Sequence, residues 1–283
     1  MRMGDGASAG RALVGDFDGA DDLLGAAQAG SLAASGSVVL EKSGRIGPLF
    51  EIIRAREVCP DAFSGVTFRS PVVSAIEAAR TGSNASGLSR GARVGVFPLA
   101  LLPYTGDITD HWKLWASRAD QAAKIAGFPD LVAAEIIGAL GELRDNVFRH
   151  SRACASGLVA FAAATGTFEV VVSDGGVGVL STLREHADYA AVEDAGTALR
   201  LAVAEGESRF GRSSGAGFGM GQMFRALAGH DGDLRFRSGD HALEVRGHSP
   251  SLAGRVELRQ NAALPGLTVS VLCRTSSRLA RPL

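Results

Sequence analysis

Two stretches decide how this chain is read: Glu142-Leu-Arg-Asp145-Asn146-Val-Phe-Arg149-His150-Ser151 and, a short way on, Phe168-Glu-Val-Val-Val-Ser-Asp174-Gly175-Gly176-Val-Gly178. The first closes a helix predicted over residues 130–151. Asp130 can cap it, and Ile136, Leu140, Leu143 and Val147 form a buried stripe at helical spacing. Glu142 and Asn146 lie four apart and share a face, with Arg149 near it and Leu140, Leu143 and Val147 opposite. A carboxylate one turn from a carboxamide suits a site with a hard cation and an activated nucleophile. The amide oxygen can ligate Mg²⁺ without adding charge, and the carboxylate can take a proton or orient water. The same residues also describe a helix whose polar face is simply solvated. In the second stretch an apolar strand, predicted over 167–173, delivers Asp174 to its C-terminal end, and glycines follow at once. An Asp there can accept a hydrogen bond from an exocyclic amine, and glycines let a planar ring approach the backbone. An ordinary strand-to-turn Asp-Gly is spelled the same way.

A third segment, Ser213-Ser-Gly215-Ala-Gly217-Phe218-Gly219-Met220-Gly221-Gln222, opens a helix predicted over 220–228. Alternate glycines at a helix N-terminus make an anion site, because free N–H groups and the helix dipole converge on phosphate. A flexible hinge loop is the competing reading. The GxGxGxG spacing, with no strand leading directly into it, does not fit a Rossmann loop.

Working outward, strands are predicted at 157–164, 233–237, 242–246, 255–259 and 267–273, with helical pieces at 181–186 and 192–204. Upstream, strands at 37–41, 65–68 and 92–102 alternate with helices at 46–58, 71–79 and 108–126, a small βαβαβα unit without a catalytic motif. Residues 1–34, rich in Gly, Ala, Ser and Asp, read as a flexible tail with a short helix near 20–29, and 276–283 as a second tail.

Composition bounds what such a chain can do. The 283 residues carry a net charge of −1, which gives no global attraction for nucleic acid or anionic membrane. No apolar run is long enough to span a bilayer, and the first residues lack the apolar core of a signal peptide. Cys59, Cys154 and Cys273 are widely spaced and odd in number, so neither a disulfide framework nor a CxxC metal site is expected, and a reduced cytoplasm is the natural compartment. Of the 29 basic residues only Lys42, Lys113 and Lys124 are lysines, and none sits in a Walker A loop.

The order of the three segments resembles the GHKL superfamily of histidine-kinase-like ATPases, over residues 128–275. Glu142, Asp145, Asn146 and His150 match its N-box. Asp174, Gly176 and Gly178 match its first glycine box, and Gly215, Gly217 and Gly219 its second. Glu207-Ser-Arg209-Phe210 looks like the aromatic segment before the second box in histidine kinases. The resemblance implies an α/β fold: a two-layer α/β sandwich, the Bergerat ATP-binding fold, preceded by a small α/β domain at 35–127. It implies ATP and Mg²⁺ as cofactors. Asn146 would hold the Mg²⁺ that bridges the phosphates, Asp174 would bind the adenine amino group, and the loop at 215–221, with Phe218 and Met220, would wrap the triphosphate. Residues 180–214 would form the ATP lid. Glu142 stands where the family's ATPases carry their general base. Arg149, Arg209 and Arg212 are candidate cations near phosphate, and His150 either belongs to the nucleotide site or caps the helix C-terminus.

Within the family, His111 and His230 lack the setting of a phosphoacceptor. All three lysines precede the N-box, against the lysine-dependent topoisomerase and mismatch-repair members. A stand-alone module is therefore expected, similar to anti-sigma-factor kinases, and its first unit faintly resembles a STAS-like regulator. The implied partner is a regulator or phosphoacceptor protein, and homodimerisation is left open. Two functions follow: an ATPase or protein kinase of bacterial signalling, or an ATP-gated interaction module without significant turnover.

Overall fold

The computed structural model describes residues 11–13, 16–32, 38–40, 44–68, 70–81, 93–203, 231–247 and 255–275. The strands are β1 (Arg11–Leu13), β2 (Val38–Leu40), β3 (Val66–Phe68), β4 (Val94–Pro98), β5 (Leu158–Ala164), β6 (Thr167–Asp174), β7 (Gly232–Gly247) and β8 (Arg255–Arg274). The helices are α1 (Phe17–Gln28), α2 (Gly47–Val58), α3 (Pro71–Arg80), α4 (Asp110–Ile125), α5 (Asp130–His150), α6 (Gly178–Arg184) and α7 (Ala195–Val203). The fold is mixed α/β, built on a five-stranded antiparallel sheet of order β4-β5-β6-β8-β7.

Strand alternation sorts the side chains onto two faces. Val159, Phe161, Phe168, Val170, Val172, Phe236, Val269 and Val271 join the core shared with α4, α5, α6 and α7. Against them α4 lays Trp112 and Trp115, stacked at 5.3 Å, with Phe97 edge-on to Trp112. The stripe of Ile136, Leu140, Leu143 and Val147 is buried as the spacing of α5 predicts. The same helix also buries Arg144, whose guanidinium lies 4.6 Å from the Trp112 ring.

The opposite face is covered too. Leu49, Phe50 and Ile53 of α2 and Val72, Val73 and Ile76 of α3 pack on Val96, Leu158, Ala160 and Val171. The sheet therefore has helices on both sides, where two layers are expected from the sequence. The reason lies in β5 and β6, which carry apolar residues on both faces, and each such face must be buried. The expected boundary at 127/128 runs through this sheet, because β4 pairs with β5 from Val94↔Ala162 to Pro98↔Leu158. The upstream strands are accordingly divided. β2 and β3 join β1 in a separate three-stranded parallel sheet, while β4 belongs to the large one.

Three further expectations change. The N-terminal tail contains α1, a packed helix: Asp16 caps it by accepting the Gly19 N–H at 2.8 Å, and Phe17, Ala20, Leu23 and Leu24 are buried. These apolar positions fall on one helical face, which docks on Ile52 and Ala55 of α2 and on Leu264. Four short strands at the C-terminal end are instead two long ones. The turn-like Ser238-Gly239-Asp240 and Pro265-Gly266 are bulges within a continuous ladder, with Gly239 and Gly266 at positive φ. The stretch expected as a lid begins as folded structure. α6 and α7 bury Val179, Leu183, Ala198, Leu199, Ala202 and Val203, so both helices are packed in the core and not part of a free loop.

Candidate functional site

The C-terminus of α5 and the turn after β6 meet at one end of the large sheet. The Val177 N–H donates to the Ser151 carbonyl at 3.0 Å, and the Thr182 hydroxyl reaches the His150 carbonyl at 3.4 Å. A Cβ at Gly176 would collide with the Ser151 carbonyl oxygen. Gly178 holds φ near +74° with Ser238 Oγ close behind it. Both glycines are thus required by backbone packing, whether or not a ligand approaches.

The turn is braced by its own fold. Gly175 N–H donates to Ser156 Oγ at 2.9 Å, Gly176 N–H to Asp174 Oδ1 at 2.8 Å and Val179 N–H to Ser238 Oγ at 3.0 Å, while Ser238 Oγ donates to the Gly266 carbonyl at 2.8 Å. With these N–H groups and that of Val177 spent internally, the turn is a rigid mount for Asp174 and not a phosphate nest. Asp174 itself is only 2% exposed. Burial pushes its carboxyl up from 3.8 to about 6, against the Gly176 N–H, the charge of Arg54 and the Leu267 N–H, which all favour the carboxylate. At neutral pH it is an ionised acceptor at the closed end of a strand, suited to a neutral amine donor.

On α5, Glu142 and Arg149 are exposed, and Asp145, Asn146 and His150 are half-buried. Asp145 is held by Arg144, whose Nε donates to Oδ1 at 2.8 Å and whose Nη2 adds a second short contact. It is thereby engaged as the counter-ion of a buried arginine. The structure brings together the end of α5 and the Asp174–Gly178 turn, the places of the first two segments. The third segment lies outside the described residues: Gly215, Gly217, Phe218, Gly219 and Met220, with Arg209, Arg212 and the helix expected at 220–228.

A nucleotide-bound Mg²⁺ would need oxygen donors from these side chains. Asn146 offers a neutral oxygen, Glu142 a carboxylate one turn away, and Asp174 a rigidly mounted acceptor for a base. Among the described residues no group of three or more His, Cys, Asp or Glu side chains is arranged to hold a metal by itself.

Sequence reasoning missed the residues behind the turn: Arg54, Ser156, Ser238 and Gly266. A signal for Arg54 was present. With Leu49, Phe50, Ile52, Ile53 and Ala55 spread around α2, the helix has no polar face, so Glu51 and Arg54 must be buried and paired. A small cleft of about 60 Å³ lined by Arg93, Ala122, Ile125 and Ala163 lies by the β5–β6 hairpin, at the other end of the sheet from Asp174. Among the described residues no helix is long and apolar enough to cross a membrane. Comparison of the chain with protein-family models, with curated proteins and with solved structures finds no match.

Proposed function

We propose that this chain is an Mg-ATP-binding signalling protein with a histidine-kinase-like ATPase domain of the Bergerat type, which hydrolyses ATP or phosphorylates a protein partner. The observation that carries the reading is the docking of α5 onto the Asp174 turn through the Val177–Ser151 hydrogen bond at 3.0 Å. It ties the C-terminal end of the helix that carries Glu142 and Asn146 to the turn that follows the buried, braced Asp174. In this reading Asp174 accepts the adenine amino group, Asn146 holds the Mg²⁺, and Glu142 takes the proton of the attacking water or hydroxyl. Bound Mg²⁺ supplies charge neutralisation at the phosphates.

Binding of Mg-ATP to the full chain, followed by calorimetry, tests it. Asn146→Ala and Asp174→Ala are each expected to weaken binding by roughly 10- to 100-fold, the worth of a hydrogen bond to a charged or metal-bound partner. Glu142→Ala should keep binding and lose ADP formation. Intact ATP binding in Asp174→Ala would remove the reading. The second function, an ATP-gated interaction module, is favoured by the exposure of Glu142 on the outer face of α5. It predicts tight binding with no turnover, unchanged by Glu142→Ala.

A further inference from the structure

The back layer of helices reaches the candidate acceptor through Arg54. This side chain leaves α2 on the far face of the sheet, is only 6% exposed, and ends under the Asp174 turn. Its Nε donates to Ser173 Oγ and its Nη2 to the Ser173 carbonyl, both at 3.3 Å, and Nη2 also makes a short bond to the Ser156 carbonyl. Ser173 immediately precedes Asp174, and Ser156 Oγ accepts the Gly175 N–H. A Cβ at Gly175 would lie 3.1 Å from Arg54 Nη1. One planar guanidinium thus bridges the end of β6 and the short turn Cys154–Ser156 that leads into β5, a geometry that its fixed fork of donors allows and a lysine does not.

We propose that Arg54 is a positioning residue for Asp174, fixing the turn from behind and holding its carboxylate ready for the nucleotide base. The nucleotide part rests on the ATP-binding reading; the positioning part rests on the contacts above. Arg54 is held in turn by Glu57, which accepts from Nη1 at 2.7 Å and also pairs with Arg80 of α3 at 2.7 Å. On the α5 side of the turn the charged or titratable groups are His150, at the end of the helix, and Arg152, which pairs with Glu185 at 2.6 Å. From β7 and β8 the neutral Ser238 and Thr268 complete the surround. The cation whose charge acts on Asp174 is Arg54. Because α2 also carries Glu51 and packs against α1 and α3, Arg54 ties the back layer directly to the acceptor turn.

Three measurements on the full-length chain test this: carboxyl-carbon NMR titration of Asp174, hydrogen exchange of the Gly175 amide, and Mg-ATP affinity. In Arg54→Met the Asp174 midpoint should rise by about one pH unit on loss of the neighbouring cation. Gly175 exchange should quicken, and Mg-ATP affinity at pH 7 should fall about tenfold as the acceptor is misplaced. Arg54→Lys keeps the charge but not the bridge. It should leave the midpoint near that of the wild type, quicken Gly175 exchange and recover part of the affinity. An unchanged midpoint and unchanged exchange in folded Arg54→Met would overturn the proposal. Should Arg54→Met fail to fold, wild-type exchange at Gly175 in Arg54→Lys would overturn it equally. A wild-type chain that binds no Mg-ATP would refute the nucleotide reading, and titration and exchange would still decide the role of Arg54.

Discussion

Asp174 is under two opposed demands. Buried, its carboxyl resists ionisation, yet a base acceptor has to be ionised. Its pKa of about 6 in the fold, against an ordinary 3.8, resolves the conflict in favour of the carboxylate at neutral pH and at a cost in stability. The sign follows from proton linkage. Between pH 3.8 and about 6 the folded chain binds more protons at this site than the unfolded one, so stability falls as pH rises through that window and stays lower above it. The rise is equivalent to about 3 kcal/mol. Asp174→Asn, which keeps an oxygen for the Gly176 N–H, is therefore expected to stabilise the fold by up to about 3 kcal/mol above pH 6 and by little near pH 4. Urea unfolding at the two pH values checks this, and equal effects at both would refute it. The same substitution should weaken Mg-ATP binding by roughly 10- to 100-fold, as Asp174→Ala does, the expected trade where a destabilised group serves function.

At the scale of elements, α2 shows how a helix is anchored from a distance. Its first residues have no capping side chain of their own. Glu169, from the middle of β6, accepts the Ile46 N–H at 2.6 Å and the Gly47 N–H at 3.2 Å, and is flanked by Arg45 Nε at 3.1 Å and Ser270 Oγ at 2.7 Å. A buried carboxylate thus satisfies orphan helix donors and complements the positive end of the dipole. Glu169→Ala should destabilise the chain by about 3–5 kcal/mol, since it removes a buried carboxylate that serves the half-buried Arg45 and two helix N–H groups at once. The measurement is the urea midpoint at unchanged slope, and a loss no larger than that of an exposed strand Glu would contradict the account. Within Phe168-Glu169-Val170 the sequence marks Glu169 only as a polar position between apolar ones. That it points into a covered face depends on α2, which is remote in the chain.

For the molecule as a whole, the decisive feature is the charge cluster where α1, α2 and β7 meet. Arg235, 1% exposed, binds Glu51 at 2.8 Å, Glu244 at 2.5 Å and Asp21 at 2.6 Å, with Phe17 packed on its guanidinium at 4.6 Å. Arg237 shares Glu51 at 3.0 Å and also pairs with Asp21. Two buried arginines therefore depend on an aspartate from a segment that composition marks as a tail. Asp21→Asn should lower stability by about 3 kcal/mol, because it removes a carboxylate that two buried arginines share. A genuine tail would show a change within about 0.5 kcal/mol. Chemical denaturation distinguishes the two outcomes, and the smaller one would show that α1 is dispensable.

Local information was enough for what depends on neighbours in the chain. The periodicity of Ile136, Leu140, Leu143 and Val147 marked α5 and its buried side, and the apolar runs at 157–164 and 167–173 marked two strands, because period and side-chain polarity are local properties. Asp174 and its glycines could be placed at a strand end on the same grounds. Tertiary structure alone decided which strands share a sheet, that helices cover both of its faces, and that α1 is part of the core. It also showed that Gly176 serves the Ser151 carbonyl, and that Arg54, Glu169 and Arg235 are buried and paired. Each of these rests on contacts between elements separate in the chain, many of them more than a hundred positions apart, or on a backbone approach that only the assembled sheet creates. Burial of a charge becomes affordable only when its partner arrives from elsewhere in the fold.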